Sequence, residues 1–128
     1  MNDQRLLKYE NLLPLVRKPS QYMGGEINAI KKDLGKIKAV MALVFPDMYE
    51  IGMSHLGLKI LYHLVNKNKE YAAERVFAPD LDYEELLRGK GMPLVSLENK
   101  IPLNKFDIVG FTLPYEMSYS NILNILDL

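Results

Sequence analysis

The chain has 128 residues, sixteen basic and sixteen acidic side chains, and no cysteine. That length bounds it to one domain with room for a core, and the even charge gives no global pull toward nucleic acid or acidic lipid. Without cysteine these residues hold no disulfide, thiolate metal site, iron–sulfur ligand or cysteine nucleophile.

No apolar run nears the ~18 residues of a membrane span, and no basic-then-apolar signal opens the chain. A soluble cytoplasmic protein, with neither a membrane nor nucleic acid as partner, is the expectation. The first 38 residues carry eight basic and four acidic groups, the remainder eight and twelve. A solvated basic face is the favoured reading of that leader.

Within the leader, LLKYENLLPLV reads as a short amphipathic helix interrupted at Pro14, since proline removes a donor and clashes with the preceding turn. Lys18-Pro19-Ser20 breaks the chain again. Tyr22-Met23-Gly24-Gly25-Glu26 reads as a tight turn, and Asn28 to Lys32 as helical. Gly24-Gly25 follows no strand and is therefore no dinucleotide fingerprint.

The run from Ala39 to Phe45 is apolar throughout and ends at Pro46, the pattern of a strand buried on both faces. A loop with Asp47, Tyr49, Glu50 and Gly52 follows. A helix from Ser54 to Asn66 comes next, with Ser54 as its expected cap and Leu56, Ile60, Leu61, Leu64 and Val65 as its apolar stripe. His55 and His63 are eight positions apart, not the spacing of about four that a helical metal pair wants, so a surface or capping role is favoured.

Glu74 to Ala78 is a short strand closed by Pro79. Asp82-Tyr83-Glu84-Glu85 resembles a capping box for a helix to Arg88, with Gly89 or Gly91 ending it. The acids Asp80, Asp82, Glu84 and Glu85 are read as complementing that helix dipole, not as a metal or acid–base site. Met92 to Leu97 reads as extended. Phe106 to Leu113 is the next strand, buried on both faces but open along one edge, and Ser118 or Ser120 opens a last helix with Ile122, Leu123, Ile125 and Leu126. Strand then helix, repeated, gives an open three-layer α/β domain with a parallel sheet in the order second–first–third, whose ligands sit at the carboxyl ends of the strands. The chain stops inside an apolar helical pattern, so the sheet is expected to be incomplete.

Val16-Arg17-Lys18-Pro19 with Tyr22-Met23-Gly24-Gly25-Glu26, then FPDMYEIGMSHLGLKILY, AERVFAPDLDYEELL, PLVSLENKIPL and FDIVGFTLPYEMSYSNILNILDL, together resemble the N-terminus of a radical S-adenosylmethionine (SAM) family that carries a cobalamin-binding-like domain. The resemblance implies a Rossmann-like, flavodoxin- or cobalamin-binding-like fold over 38–128 behind a helical leader, 1–37. It implies that a four-iron cluster and S-adenosylmethionine belong to a downstream radical SAM domain, a partner in cis or in trans, and that this chain alone is inactive.

Asp47-Met48-Tyr49-Glu50-Ile51-Gly52 stands where cobalamin-binding domains carry Asp-x-His-x-x-Gly, in which the histidine ligates cobalt and the aspartate orients it. Tyrosine at position 49 departs from that pattern. The resemblance thus implies cobalamin as a candidate cofactor held without a protein histidine, with Asp47, Tyr49, Gly52 and Ser54 on the first contact loop and Thr112 and Leu113 on the second. Gln21 also departs, standing where the family's Pro-x-x-Tyr segment carries a basic residue. Two other readings stay open: a stand-alone interaction module, self-associating through its open sheet edge, and a flavodoxin-like nucleotide-binding domain. The absence of a glycine-rich phosphate loop weighs against the last.

Overall fold

The computed structural model describes residues 3–128; residues 1 and 2 of the leader lie outside the described part. Three parallel strands, β1 (Ala39–Phe45), β2 (Tyr71–Phe77) and β3 (Ile108–Phe111), form one sheet in the order β2-β1-β3. Ala39 lies opposite Tyr71, and Met41 opposite Ile108. The expected α/β layout and strand order hold. Among the described residues six α-helices accompany the sheet: α1 (Asp3–Glu10), α2 (Ser20–Met23), α3 (Tyr49–Gly52), α4 (Leu56–Lys67), α5 (Leu81–Lys90) and α6 (Ser118–Asp127).

Alternation along the central strand builds two cores. Ala42 and Val44 face Tyr83 and Leu87 of α5 and Ile125 of α6. Leu43 and Phe45 face Leu58 and Tyr62 of α4. The leader belongs to the first core, where Tyr9, Leu12 and Val16 are buried. Its ring Tyr22 stacks on Tyr83 at 3.9 Å between centroids, and the Tyr22 hydroxyl accepts from the Asp80 amide at 3.0 Å.

Helix α4 lies the other way round from the sequence expectation. Leu56, Ile60, Leu61 and Leu64 are all about half exposed or more, while Leu58, Tyr62 and Asn66 are buried and Val65 is partly so. The reason is polar. Tyr62 Oη accepts from the Ile30 amide at 2.7 Å. The Asn66 carboxamide bonds both the amide and the carbonyl of Ala73 at 3.0 Å. Only this face can satisfy groups that would otherwise be buried without partners.

Smaller corrections follow the same logic. Ser54 does not cap α4 as expected; His55 does, its Nδ1 accepting from the Leu58 amide at 3.2 Å, the second of the two roles, surface or capping, left open for that histidine. The cap of α5 is Asp80, two residues before the expected box, and Gly91 ends the helix in the left-handed conformation. Asn28 to Lys32 is not helical. Strand β3 is confined to four residues, and Ile108 is 55% exposed, so this strand is not covered on both faces. Met92 to Leu97 forms no strand; Val95 makes one antiparallel bridge to Pro102 within a buried loop.

That loop, with its neighbours, seals the outer edge of β2. Lys32 Nζ donates to the Tyr71 carbonyl at 2.6 Å, Asn66 bonds both backbone groups of Ala73, and the Arg75 amide donates to Glu98 Oε2 at 2.9 Å while its carbonyl accepts from the Leu97 amide at 2.8 Å. Every outward backbone group named here has a partner, as a protected edge requires.

Candidate functional site

The strand order reverses between β1 and β3, and the crevice at their carboxyl ends is where open α/β sheets place ligands. Asp47 stands at the end of β1. Its Oδ2 accepts from the Tyr115 hydroxyl at 2.7 Å, its Oδ1 from the Met48 amide at 2.8 Å, and its carbonyl from the Ala78 amide at 2.9 Å. One residue thus ties together the loops that follow all three strands. Asn121 of α6 adds a bond to the Pro46 carbonyl at 2.9 Å.

Thr112 continues the ladder from β3, its amide donating to the Val44 carbonyl at 2.9 Å, and Leu113 beside it is 52% exposed. Asp47, Thr112 and Leu113 therefore stand at the carboxyl ends of the adjacent strands β1 and β3. Tyr49 does not join them. Its ring lies edge-on to Phe77 at 5.4 Å, on the β2 side, and its hydroxyl donates to Glu26 of the leader. Gly52 is buried beneath it for a packing reason: a Cβ there would come within 2.5 Å of Phe77 Cε1 and 2.8 Å of Phe45 Cδ1. Ser54 is exposed, its hydroxyl donating to the Ile51 carbonyl at 3.2 Å.

Behind Tyr49 lies a charged network that periodicity does not reveal. Arg75 Nη2 donates to Glu26 Oε2 at 2.6 Å and Arg75 Nε to Glu98 Oε1 at 2.7 Å, with side-chain exposures of 13% for Arg75 and 1% for Glu98. Burial pulls the Glu26 carboxyl upward, but hydrogen bonds from Arg75 and Tyr49 win and hold it below its usual value. Burial works against the Arg75 charge too, and the two glutamates outweigh it. Burial lifts the Glu98 carboxyl above its usual value, and the Arg75 guanidinium at 2.7 Å pulls against that rise. The Tyr49 phenol is pushed up to about 12, first by burial and then by its bond to Glu26.

Next to it, Glu74 is buried on the other face of β2 and accepts from Ser96 Oγ and from the amide and side chain of Asn99. Lys100 Nζ reaches the carbonyls of Tyr22 and Leu97, the latter at 3.0 Å. The signal for this network was the presence of charges inside otherwise apolar stretches, Glu74-Arg75 in β2 and Glu98-Asn99-Lys100 in the following loop. Buried charges come paired.

These residues do not fit a protein-ligated cobalt or a cluster. Cobalt ligation from position 49 would need an imidazole; the phenol there retains its proton and is committed to Glu26. A cluster needs thiolates, and the chain has none. Among the described residues no group of three or more histidine, aspartate or glutamate side chains is placed to hold a metal ion. No helix there is long and apolar enough to cross a membrane.

The family model described as "Radical SAM proteins, N-terminal" matches residues 57–128, from α4 through α6 and more than half of the chain. Neither the curated proteins nor the solved structures give a match. A three-stranded parallel sheet with its switch point between β1 and β3 agrees with the α/β layout read from the sequence, and on the strength of the family match the chain belongs to the radical SAM proteins, as a member of their N-terminal family.

Proposed function

We propose that this chain is the accessory domain of a radical SAM enzyme, shaping access of cofactor or substrate to a cysteine-bearing domain supplied in cis or in trans. One observation carries the reading: the chain belongs to a radical SAM family yet has no cysteine. Family membership implies S-adenosylmethionine and a four-iron cluster in the full protein, and radical initiation needs that cluster held by thiolates. The chemistry is then assigned to the other domain, and these residues bind, orient and cover.

The crevice at Asp47, Thr112 and Leu113 is the end of the domain that faces the reaction in this reading. After β3, Tyr115, Met117 and Tyr119 are exposed, apolar side chains suited to a partner surface. A corrin held there would take no axial ligand from position 49, and Gly52 and Ser54 would serve the loop's shape. The free edge of β3 is the proposed place where a partner strand, or a second copy, adds to the sheet.

A stand-alone docking module is the second reading, supported by the exposed α4 ridge of Leu56, Ile60 and Leu64. Anaerobic reconstitution of the 128-residue chain with iron and sulfide tests the first. No stoichiometric cluster and no reductive cleavage of S-adenosylmethionine are expected; either one would overturn it. A cob(II)alamin complex whose paramagnetic resonance shows protein nitrogen coupling would overturn the ligand-free corrin.

A further inference from the structure

On the α4 face of the sheet, a cleft of about 260 Å3 opens between α4, Gly52 and Met53 after β1, and the leader segment around Asn28 and Ile30. Leu58 and Tyr62 form its apolar wall, Arg75 stands at its floor, and Lys59 and His63 stand at its rim. The two rim residues lie four apart, so they project from neighbouring turns on one flank of the helix. Both are exposed, and no ion pair among the described residues involves either one. None of the residues lining the cleft carries a carboxylate.

We propose that this cleft binds a small organic anion with an apolar body, an aromatic carboxylate or a phosphate monoester. A benzene ring fits a cavity of ~150 Å3, so 260 Å3 accepts a ring with its charged substituent. The ring lies against Leu58 and Tyr62, and the anion meets Lys59 and His63 at the rim. Arg75 adds direction and no net positive charge, because the carboxylates of Glu26 and Glu98 together outnumber its single charge, so the attraction for an anion rests on Lys59 and His63 at the rim. Asn28 offers a carboxamide for a further polar substituent. A basic ridge is ordinarily only solvated, but this one borders a walled apolar hollow, the combination of shape and few polar groups that small-molecule sites share.

The test is a nitrogen-15 titration of the full 128-residue chain with phenyl phosphate and, separately, benzoate, with inorganic phosphate and phenol as the isolated halves. Expected are saturable shifts at the amides of Met53, Lys59, Tyr62 and His63. One of the two whole probes should bind at least about tenfold tighter than either half, and which one does so identifies the anion. Lys59→Met and His63→Gln should each weaken it about threefold to fivefold, as for an exposed ion pair, with the thermal midpoint unchanged. Shifts that map elsewhere, that persist undiminished in both variants, or that inorganic phosphate reproduces at equal affinity would overturn the site. None of these outcomes bears on cluster assembly, so the two readings fail separately.

Discussion

Arg75 and Glu26 lie 49 residues apart in sequence and 2.6 Å apart in space, and their pairing fastens the leader to the second strand of the sheet. The guanidinium also holds Glu98 and rests over the ring of Tyr62 at 4.9 Å from its centroid. A leader that composition alone presents as a loose basic segment thus supplies a counter-charge to the interior.

Arg75→Met should therefore be costly. It leaves two carboxylates without their cation, and breaking a buried pair from one side costs about 3–5 kcal/mol. Removing the charges together, with Glu26→Gln and Glu98→Gln in the Arg75→Met background, should recover most of that loss. Urea unfolding of wild type, the single variant and the triple variant measures both effects; equal losses in the single and triple variants would contradict the pairing.

Helix α4 gives a direct test of which face is inside. Leu58→Ala should cost about 2–4 kcal/mol, since Leu58 is 2% exposed. Ile60→Asp and Leu64→Asp should change unfolding free energy by no more than about 0.5 kcal/mol, as outward positions do. The reverse ranking would restore the orientation that the apolar spacing alone suggests.

That contrast also shows where sequence reading has its reach. The strand at Ala39–Phe45, the sheet order and the helix at Ser118 were legible because a continuous apolar run closed by a breaker suits little besides a buried element of the sheet or its cover. The face of α4 was not, because Leu, Ile and Val outnumber the residues that bury. Tyr62 and Asn66 win by bonding Ile30 and the β2 edge, a tertiary demand invisible to periodicity. At the crevice, Asp47, Thr112 and Leu113 stand at adjacent strand ends, as their positions after the two apolar runs suggest. Tyr49 instead turns toward Glu26, a partner 23 residues upstream that no local pattern names.

Gly52→Ala probes the loop after β1. The added methyl would press on the rings of Phe77 and Phe45, at 2.5 and 2.8 Å, and overpacking of this kind costs about 1–3 kcal/mol. Differential scanning calorimetry should show a lower midpoint with the sheet otherwise intact by circular dichroism. An unchanged midpoint would mean that the loop yields and that Gly52 has no packing role.

Lys100 predicts a pH dependence. Burial pushes its ammonium down from 10.5 to about 8. Between those values the unfolded chain keeps the proton that the folded chain releases, so stability attributable to Lys100 rises with pH across that window. A shift of that size corresponds to about 3 kcal/mol in total. Lys100→Met lacks the effect, so wild type should gain on it steadily from pH 8 to pH 10 in urea midpoints. Above that, Tyr9, Tyr22, Tyr49 and Tyr62, each raised to about 12 chiefly by burial, lower stability in both chains alike. A constant difference between the two proteins from pH 8 to pH 10 would refute the assignment.

The seal along β2 gives the sheet a direction of growth. Lys32, Asn66 and Glu98 act there as a terminator, while among the described residues no strand pairs with the outer side of β3. Head-to-tail stacking, with β3 of one copy against β2 of the next, has no vacant side to land on. Copies that meet through their sheets can do so only β3 to β3, about a two-fold axis, and such a contact closes on itself. If these 128 residues were to associate by this route, the contact would close at two chains.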